Sequence, residues 1–222
     1  IGDYSFSTVV LTGQNYTFGP SETITNGSVA LVSANPDLQW ETSTQTDFGI
    51  DVELWDGKFN LTTDYYIKVT SDMLYAAPVP FVAGTLPPVQ NVATAENRGW
   101  EVGVQYRDRI GDFTYDLGGN ISFYDNVVTG LGVGGEPVFA GNVQFANSPV
   151  SRTDVGQPMA SFYGYMTDGL FQTQQEVEAH AFQSENTAPG DIRFVDINED
   201  GVIDNEDQTY IGSPIPDFTY GV

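Results

Sequence analysis

Between Gln45 and Val69 the side chains alternate with a strict period of two on both sides of one short turn. Few folds accommodate such a pattern. Phe48, Ile50, Val52 and Leu54 fall on one face of the first run, and Asp47, Gly49, Asp51 and Glu53 fall on the other. After Asp56-Gly57, the residues Phe59, Leu61, Thr63, Tyr65 and Ile67 alternate with Asn60, Thr62, Asp64, Tyr66 and Lys68. Successive side chains of a strand point to opposite sides of a sheet, so this period predicts two strands. Asp-Gly supplies the positive φ angles of a tight hairpin turn. Each strand presents one apolar face and one carboxylate-bearing face.

A second hairpin repeats the logic. Trp100, Val102, Val104 and Tyr106 alternate with Glu101, Gly103, Gln105 and Arg107; the turn falls at 108–112; Tyr115, Leu117, Gly119, Ile121 and Phe123 return. A further strand is expected from Tyr4 to Leu11, and the Ile-Gly-Asp of 1–3 recurs at 110–112 as the tail of a short turn. Pro78, Pro80, Pro87 and Pro88 keep the stretch around them out of a sheet interior, because each proline removes a backbone donor. Short turns near 1–3, 55–58 and 108–112 thus alternate with long loops over 12–44, 70–97 and 127–216. Short turns at one end and long loops at the other are the habit of outer-membrane barrels. Aromatic residues near the strand ends (Trp55, Phe59, Tyr65, Tyr66, Trp100, Tyr106, Phe113, Tyr115, Phe123, Tyr124) suit the girdles of such a barrel.

Composition excludes several alternatives. Seven Lys and Arg against 30 Asp and Glu give a formal charge of −23, which is incompatible with neutralising nucleic-acid phosphates. A hydrophobic content of 40% is too high for a disordered acidic tail. With no cysteine there is no disulfide framework, thiolate metal site or cysteine nucleophile. No apolar run approaches the ~20 residues of a membrane helix, a limit that does not apply to barrel strands of ~9–11 alternating residues. The opening Ile1-Gly2-Asp3 and the closing Phe218-Thr219-Tyr220-Gly221-Val222, which reads as an interrupted strand, suggest a piece of a larger protein.

Asn35-Pro36-Asp37-Leu38-Gln39-Trp40-Glu41-Thr42, Asp64-Tyr65-Tyr66-Ile67-Lys68, Glu96-Asn97-Arg98-Gly99-Trp100-Glu101 and Arg109-Ile110-Gly111-Asp112-Phe113 occur in that order. Gly156-Gln157-Pro158, Ser161-Phe162-Tyr163-Gly164-Tyr165, Asp168-Gly169-Leu170-Phe171-Gln172, Ala188-Pro189-Gly190-Asp191-Ile192-Arg193-Phe194 and Ile211-Gly212-Ser213-Pro214-Ile215-Pro216-Asp217-Phe218 follow. Together these blocks resemble the barrel of the SusC/RagA family of TonB-dependent outer-membrane transporters. The resemblance implies an all-β, antiparallel transmembrane β-barrel fragment, about six strands of a 22-stranded barrel, with long extracellular loops and one short helix. Residues 1–222 would form part of one barrel domain, without the plug and the chain ends. It further implies a place in the outer membrane, a SusD-like surface lipoprotein as lid, energy from TonB through an amino-terminal part outside this stretch, and import of oligosaccharides or peptides. In that setting Asp56-Gly57 lies on the periplasmic side, the Phe48–Leu54 and Phe59–Ile67 face meets lipid, and Asp51, Glu53, Asp64, Glu101 and Asp116 meet a watery lumen.

Asp196, Asn198, Asp200, Val202 (through its carbonyl), Asp204 and Asp207 fall at positions 1, 3, 5, 7, 9 and 12 of an EF-hand-like loop, with Gly201 at position 6. Oxygen ligands at that spacing suit Ca²⁺, a hard cation taking 6–8 oxygens, in a structural role that pins a large loop. The other reading is an acidic, solvated turn. Gln174 to Gln183 is the one helical stretch, with Thr173 as N-cap and Glu176 three residues on. His180, the only histidine, has no partner for metal or nucleophilic chemistry and reads as a packed or surface residue. The glycine-rich stretch 130–135 lacks the strand-to-helix setting of a dinucleotide loop. Trp40, Phe81, Phe139, Phe145, Phe162 and Tyr163 read as loop packing, with sugar stacking or lid contact as the alternative. No catalytic residue is assigned, and the chain is not expected to be an enzyme. The rival to a transporter wall is a secreted, calcium-stabilised β-sandwich that binds glycans or a partner protein.

Overall fold

The computed structural model describes residues 6–20, 23–76, 82, 84–132, 135–142 and 149–222. Its main sheet is antiparallel, with five strands in the order β13-β6-β5-β4-β3. These are β3 (Thr42–Leu54), β4 (Phe59–Ala76), β5 (Val89–Ile110), β6 (Phe113–Leu131) and β13 (Phe218–Gly221). The register places the apolar residues of neighbouring strands side by side. Phe48, Tyr65, Trp100, Phe123 and Phe218 form one row, and Ile50, Thr63, Val102, Ile121 and Tyr220 form the next but one. Between them, on the opposite face, runs Gly49, Asp64, Glu101, Ser122 and Thr219. Because the side-chain period is two, one register slip would exchange the faces.

The turns follow the sequence. Trp55, Asp56 and Gly57 take φ values of 56°, 54° and 81°, so the left-handed stretch begins one residue before Asp-Gly. Pairing of β5 with β6 continues to Ile110 and Phe113, leaving a tighter second turn than 108–112. Gly111 supplies its positive φ of 62°, and the Arg109 guanidinium donates to the Gly111 carbonyl at 2.6 Å.

The stretches read as long loops carry more structure than their composition suggests. Within 12–44 lies an antiparallel hairpin of β1 (Val9–Phe18) and β2 (Thr23–Val32). The strand expected from Tyr4 therefore runs later, from Val9; Tyr4 itself, and the turn at 1–3, lie outside the described residues. The 70–97 stretch is shortened at both ends, since β4 runs to Ala76 and β5 starts at Val89. Within 127–216, β6 extends to Leu131. A four-stranded sheet follows, ordered β12-β9-β8-β7, from β7 (Val138–Asn142), β8 (Pro149–Thr153), β9 (Ser161–Tyr165) and β12 (Gln208–Gly212). The pair β10 (Thr167–Leu170) and β11 (Ile192–Phe194) and the helix α1 (Gln174–Ala179) complete it. Of the six wall strands expected, five stand side by side in the main sheet. The helix is shorter than 174–183 because His180 already has extended backbone. Thr173 caps it as expected, accepting from the Glu176 N–H at 3.3 Å, while Glu176 accepts from the Gln172 N–H at 2.8 Å instead of returning to Thr173.

The free edge of β6 is covered at two levels. Phe123 to Asn120 pair with β13, and higher up the Val128 N–H donates to the Gln157 carbonyl while Gly156 N–H donates to Val128. Val128 and Ala95 are buried there. The Gly156-Gln157-Pro158 block thus acts as a short edge cover, which removes unpaired strand groups from solvent.

One glycine in the sheet is required by close approach. A Cβ on Gly99 would sit 2.6 Å from the Phe123 carbonyl oxygen and 2.8 Å from the Tyr66 ring, which lies across it. We expect Gly99→Val to cost about 1–3 kcal/mol by overpacking. Gly103→Val, where a Cβ meets nothing within 4 Å, should change little. Urea unfolding of the full-length protein in detergent compares the two.

Candidate functional surfaces

The outward face of the main sheet is apolar and bare. Phe48 is 65% exposed, Ile50 62% and Leu117 65%, and Trp100, Val104, Phe123 and Tyr220 are exposed as well. A β-sandwich would bury this face under a second sheet; none covers it among the described residues. Charges bound the belt at two levels of β5. At the upper end Arg98 pairs with Glu96 at 2.7 Å and with Asp125 at 3.5 Å; at the lower end Lys58 pairs with Asp108 at 2.7 Å. Arg98 and Asp108 are about ten residues apart, so ~33 Å along the strand, or ~25 Å of height at a tilt of 35–45°. Rings cluster near each boundary, although Tyr66 and Tyr124, also expected in the girdles, fall on the opposite face. Tyr65 and Trp100 lie 4.9 Å apart at the upper boundary, and Trp55–Phe59 (5.7 Å), Tyr106–Tyr115 (6.0 Å) and Phe113–Tyr115 (6.0 Å) mark the lower.

The opposite face is polar. Asp116 accepts from the Gln105 amide and pairs with Arg107 at 3.2 Å. Asp64 and Glu101 stand directly opposite each other, with Asp47 and Asp51 nearby on β3. Such an arrangement is stable beside water and costly in a dry core.

Above the belt, the Asn35-to-Thr42 block is a set of staples. The Asn91 side chain accepts from the Gln39 N–H at 2.9 Å and donates to the carbonyls of Gln39 (2.9 Å) and Asp72 (2.7 Å). The Asn35 amide donates to the Val89 carbonyl at 2.9 Å, and the Glu41 carboxylate accepts from the Leu74 N–H at 2.7 Å. Asn91 and Asp72, whose φ of 58° marks the bulge in β4, carry no signal in the sequence that would single them out. We expect Asn91→Ala to cost about 1–3 kcal/mol by leaving these main-chain groups unmatched. Hydrogen exchange should accelerate at Gln39 while the belt strands keep their protection.

The small sheet centres on Arg152. Its guanidinium lies over the rings of Tyr163 (4.9 Å), Phe139 (5.4 Å) and Tyr210 (5.7 Å) and pairs with Asp154 at 2.7 Å. Burial, then the hydrogen bond to Asp154, push the Tyr210 phenol up to about 12. Phe139 and Tyr163 thus pack against Arg152, with Phe139 keeping an exposed face. Trp40 is 71% exposed and Phe162 is exposed, while Phe81 and Phe145 lie outside the described residues. His180 packs edge-on to the buried Phe171 at 5.2 Å. Arg193 joins β11 to Asp168 of β10 at 2.6 Å.

The acidic loop is held in shape by its own side chains. Asp196 Oδ2 accepts from the Gly201 N–H at 2.9 Å, across a turn where Gly201 has a φ of 87°. Asn198 accepts from Asp200 N–H, Asp200 from Val202 N–H, and Asp204 from Glu206 N–H. Phe182 straps the middle of the loop through Gly201 and Ile203. Asp207 is fully buried; its two oxygens accept from the N–H groups of Ile197 and Asp204, both at 2.8 Å. These amides, Asp204 first, hold its carboxyl below the usual range against the opposing effect of burial. Among the described residues no three His, Cys, Asp or Glu side chains form a ready metal cage. One observation nevertheless fits a cation: Asp196 Oδ1 is buried without a hydrogen-bond partner. A carboxylate oxygen in that condition is costly unless something positive meets it.

Comparison with known proteins agrees with this architecture. Residues 4–220 match the family model described as TonB dependent receptor-like, beta-barrel. The chain is 35% identical over 199 residues to TonB-dependent receptor P3 of Formosa agariphila, covering 88% of this chain and 20% of that protein. It is 28% identical over 211 residues to TonB-dependent receptor SusC of Bacteroides thetaiotaomicron, covering 93% and 20% respectively. Among solved structures, the RagAB peptide transporter superposes with a TM-score of 0.76 at 22% identity, over 100% of this chain and 22% of that one. The chain spans about a fifth of the length of the curated relatives it matches.

Proposed function

The chain belongs to the TonB-dependent receptor-like β-barrel family, and from that membership we propose that it forms part of the wall of an outer-membrane importer of oligosaccharides or peptides. Its place is the outer membrane, and it is a segment of a receptor barrel, not an enzyme. In this reading the main sheet is the wall, with its short turns in the periplasm and the elements between β6 and β13 outside the cell. A SusD-like surface lipoprotein covers the mouth, and TonB supplies energy through a part of the protein beyond this stretch. The observation that carries the proposal is the apolar belt of ~25 Å, with rings and charge pairs at both borders, backed by a polar inner face. The test is uptake by cells: loss of TonB, or of the SusD-like lipoprotein, should abolish growth on the cargo. Unchanged growth in both deletions would refute active import.

Calcium belongs to the same proposal. Asp196, Asn198, Asp200, the Val202 carbonyl, Asp204 and Asp207 would hold Ca²⁺, with Asp207 also closing the loop through its amides. The ion would offset carboxylates that otherwise repel one another. Its role is structural, stiffening the segment that leads into β12.

A further inference from the structure

We propose that a hollow of about 310 Å³ on the inner face, lined by Tyr66, Asn97, Tyr124, Asn126, Ile215 and Pro216, is a contact site for one neutral sugar ring of the cargo; this rests on the importer reading above. The hollow lies just above the row that carries Asp64 and Glu101.

Its polar groups are oriented before anything binds. The Met159 N–H can only donate, and it reaches Asn126 Oδ1 at 2.7 Å, which fixes the flip of the Asn126 amide. Asn126 Nδ2 must then donate, and it does so to Asn97 Oδ1 at 2.7 Å. That contact fixes Asn97 in turn and leaves its Nδ2 as a donor without a partner among the described residues. Tyr124 is held by its hydroxyl contact to Thr219 at 2.8 Å. The Tyr66 ring rests on Gly99, where no side chain could fit. Preorganisation of this kind spares a ligand the cost of ordering its site.

The chemistry of the lining selects a ligand class. Two tyrosines, Ile215 and Pro216 offer apolar surface for the C–H face of a pyranose, and Asn97 Nδ2 offers donors for its oxygens. The one charged lining residue, Asp125, directs its carboxylate to Arg98 on the other face. No group therefore anchors a peptide terminus or a charged side chain. Strand addition by a peptide is also blocked, because β13 and Gln157 already cover the β6 edge. Below, Asp64 and Glu101 disfavour an anionic sugar.

The test uses the purified full-length protein and neutral hexasaccharides of glucose, xylose and mannose, with a tryptic peptide mixture as counter-probe. Asn97→Asp keeps the acceptor for Asn126 and removes the free donor; Tyr66→Phe keeps the ring and removes the hydroxyl. At least one hexasaccharide should bind, and Asn97→Asp should weaken it about tenfold or more with heat-modifiable gel mobility unchanged. Tyr66→Phe should weaken it less. Wild-type affinity in both variants, or binding of no hexasaccharide, would overturn the site. Binding of peptides alone would overturn the sugar assignment and leave import standing, whereas loss of TonB-dependent uptake for both classes would overturn the importer reading itself.

Discussion

Replacing Ile50 with Arg should destabilise the full-length protein in a bilayer by about 2–4 kcal/mol, the cost of a cationic side chain near the midplane of a barrel's lipid face. Ile50 sits in the row with Thr63, Val102 and Ile121, midway between the Arg98 and Asp108 borders of the belt. It is 62% exposed, so the substitution removes almost no protein packing. In water an exposed Ile→Arg change would cost close to nothing, within about 0.5 kcal/mol. The medium therefore decides the size of the effect. Thr62→Arg, one residue away in the adjoining strand but on the polar face beside Asp51, is the matched control and should cost much less. Denaturant titration in phosphatidylcholine vesicles measures both. Equal effects at the two positions would mean that Ile50 does not face lipid.

Chelation is expected to have the second large effect. A ligand that binds only the folded state at a hundred times its dissociation constant adds about 2.7 kcal/mol. EGTA should therefore release that much, concentrated between Phe182 and Gly212, where the loop is tied to β12 and to Phe182. Limited proteolysis should cut there after chelation, and added Ca²⁺ should restore protection. Asp196→Ala should remove the calcium response altogether, because it deletes the buried oxygen that lacks a partner. Acid gives an independent handle on the same loop. The folded Asp207 carboxyl titrates below its unfolded value of ~3.9, so its contribution is complete above that pH and is lost as pH falls through the folded value. Opening of the loop at pH 5 in the presence of Ca²⁺ would contradict this account, as would proteolysis that ignores EGTA.

What could be read from the sequence was set by burial against a single medium. The alternation of Phe48 to Leu54 and of Trp100 to Tyr106 is visible because one face meets an apolar phase and the other meets water. Where both faces meet water, that signal vanishes. The β1–β2 hairpin, Thr- and Asn-rich, was therefore indistinguishable from a loop, although its backbone pairs along most of its length. From Thr70 to Ala76 of β4 the alternation is lost for another reason: the strand is half-buried on both faces and its register shifts at the bulge. The acidic loop was legible through its spacing, but its strap to Phe182 and the amide bonds to Asp207 depend on distant backbone. Asn91, Asn97 and Asn126 act through side-chain amides aimed at partners 19 to 52 residues away, and nothing local marks them.

The central claim is that the even-numbered residues of β3 face lipid and the odd-numbered ones face the lumen. These 222 residues contain no cysteine, so single spin labels can be placed by Phe48→Cys, Gly49→Cys, Ile50→Cys, Asp51→Cys and Val52→Cys in the full-length protein once any cysteine elsewhere in it has been replaced by serine. Collision rates with oxygen and with a water-soluble nickel chelate, measured in vesicles, should alternate with period two. Positions 48, 50 and 52 should be oxygen-rich and shielded from nickel, and 49 and 51 the reverse. A scan without alternation, or with nickel reaching position 50 as readily as 51, would contradict the account.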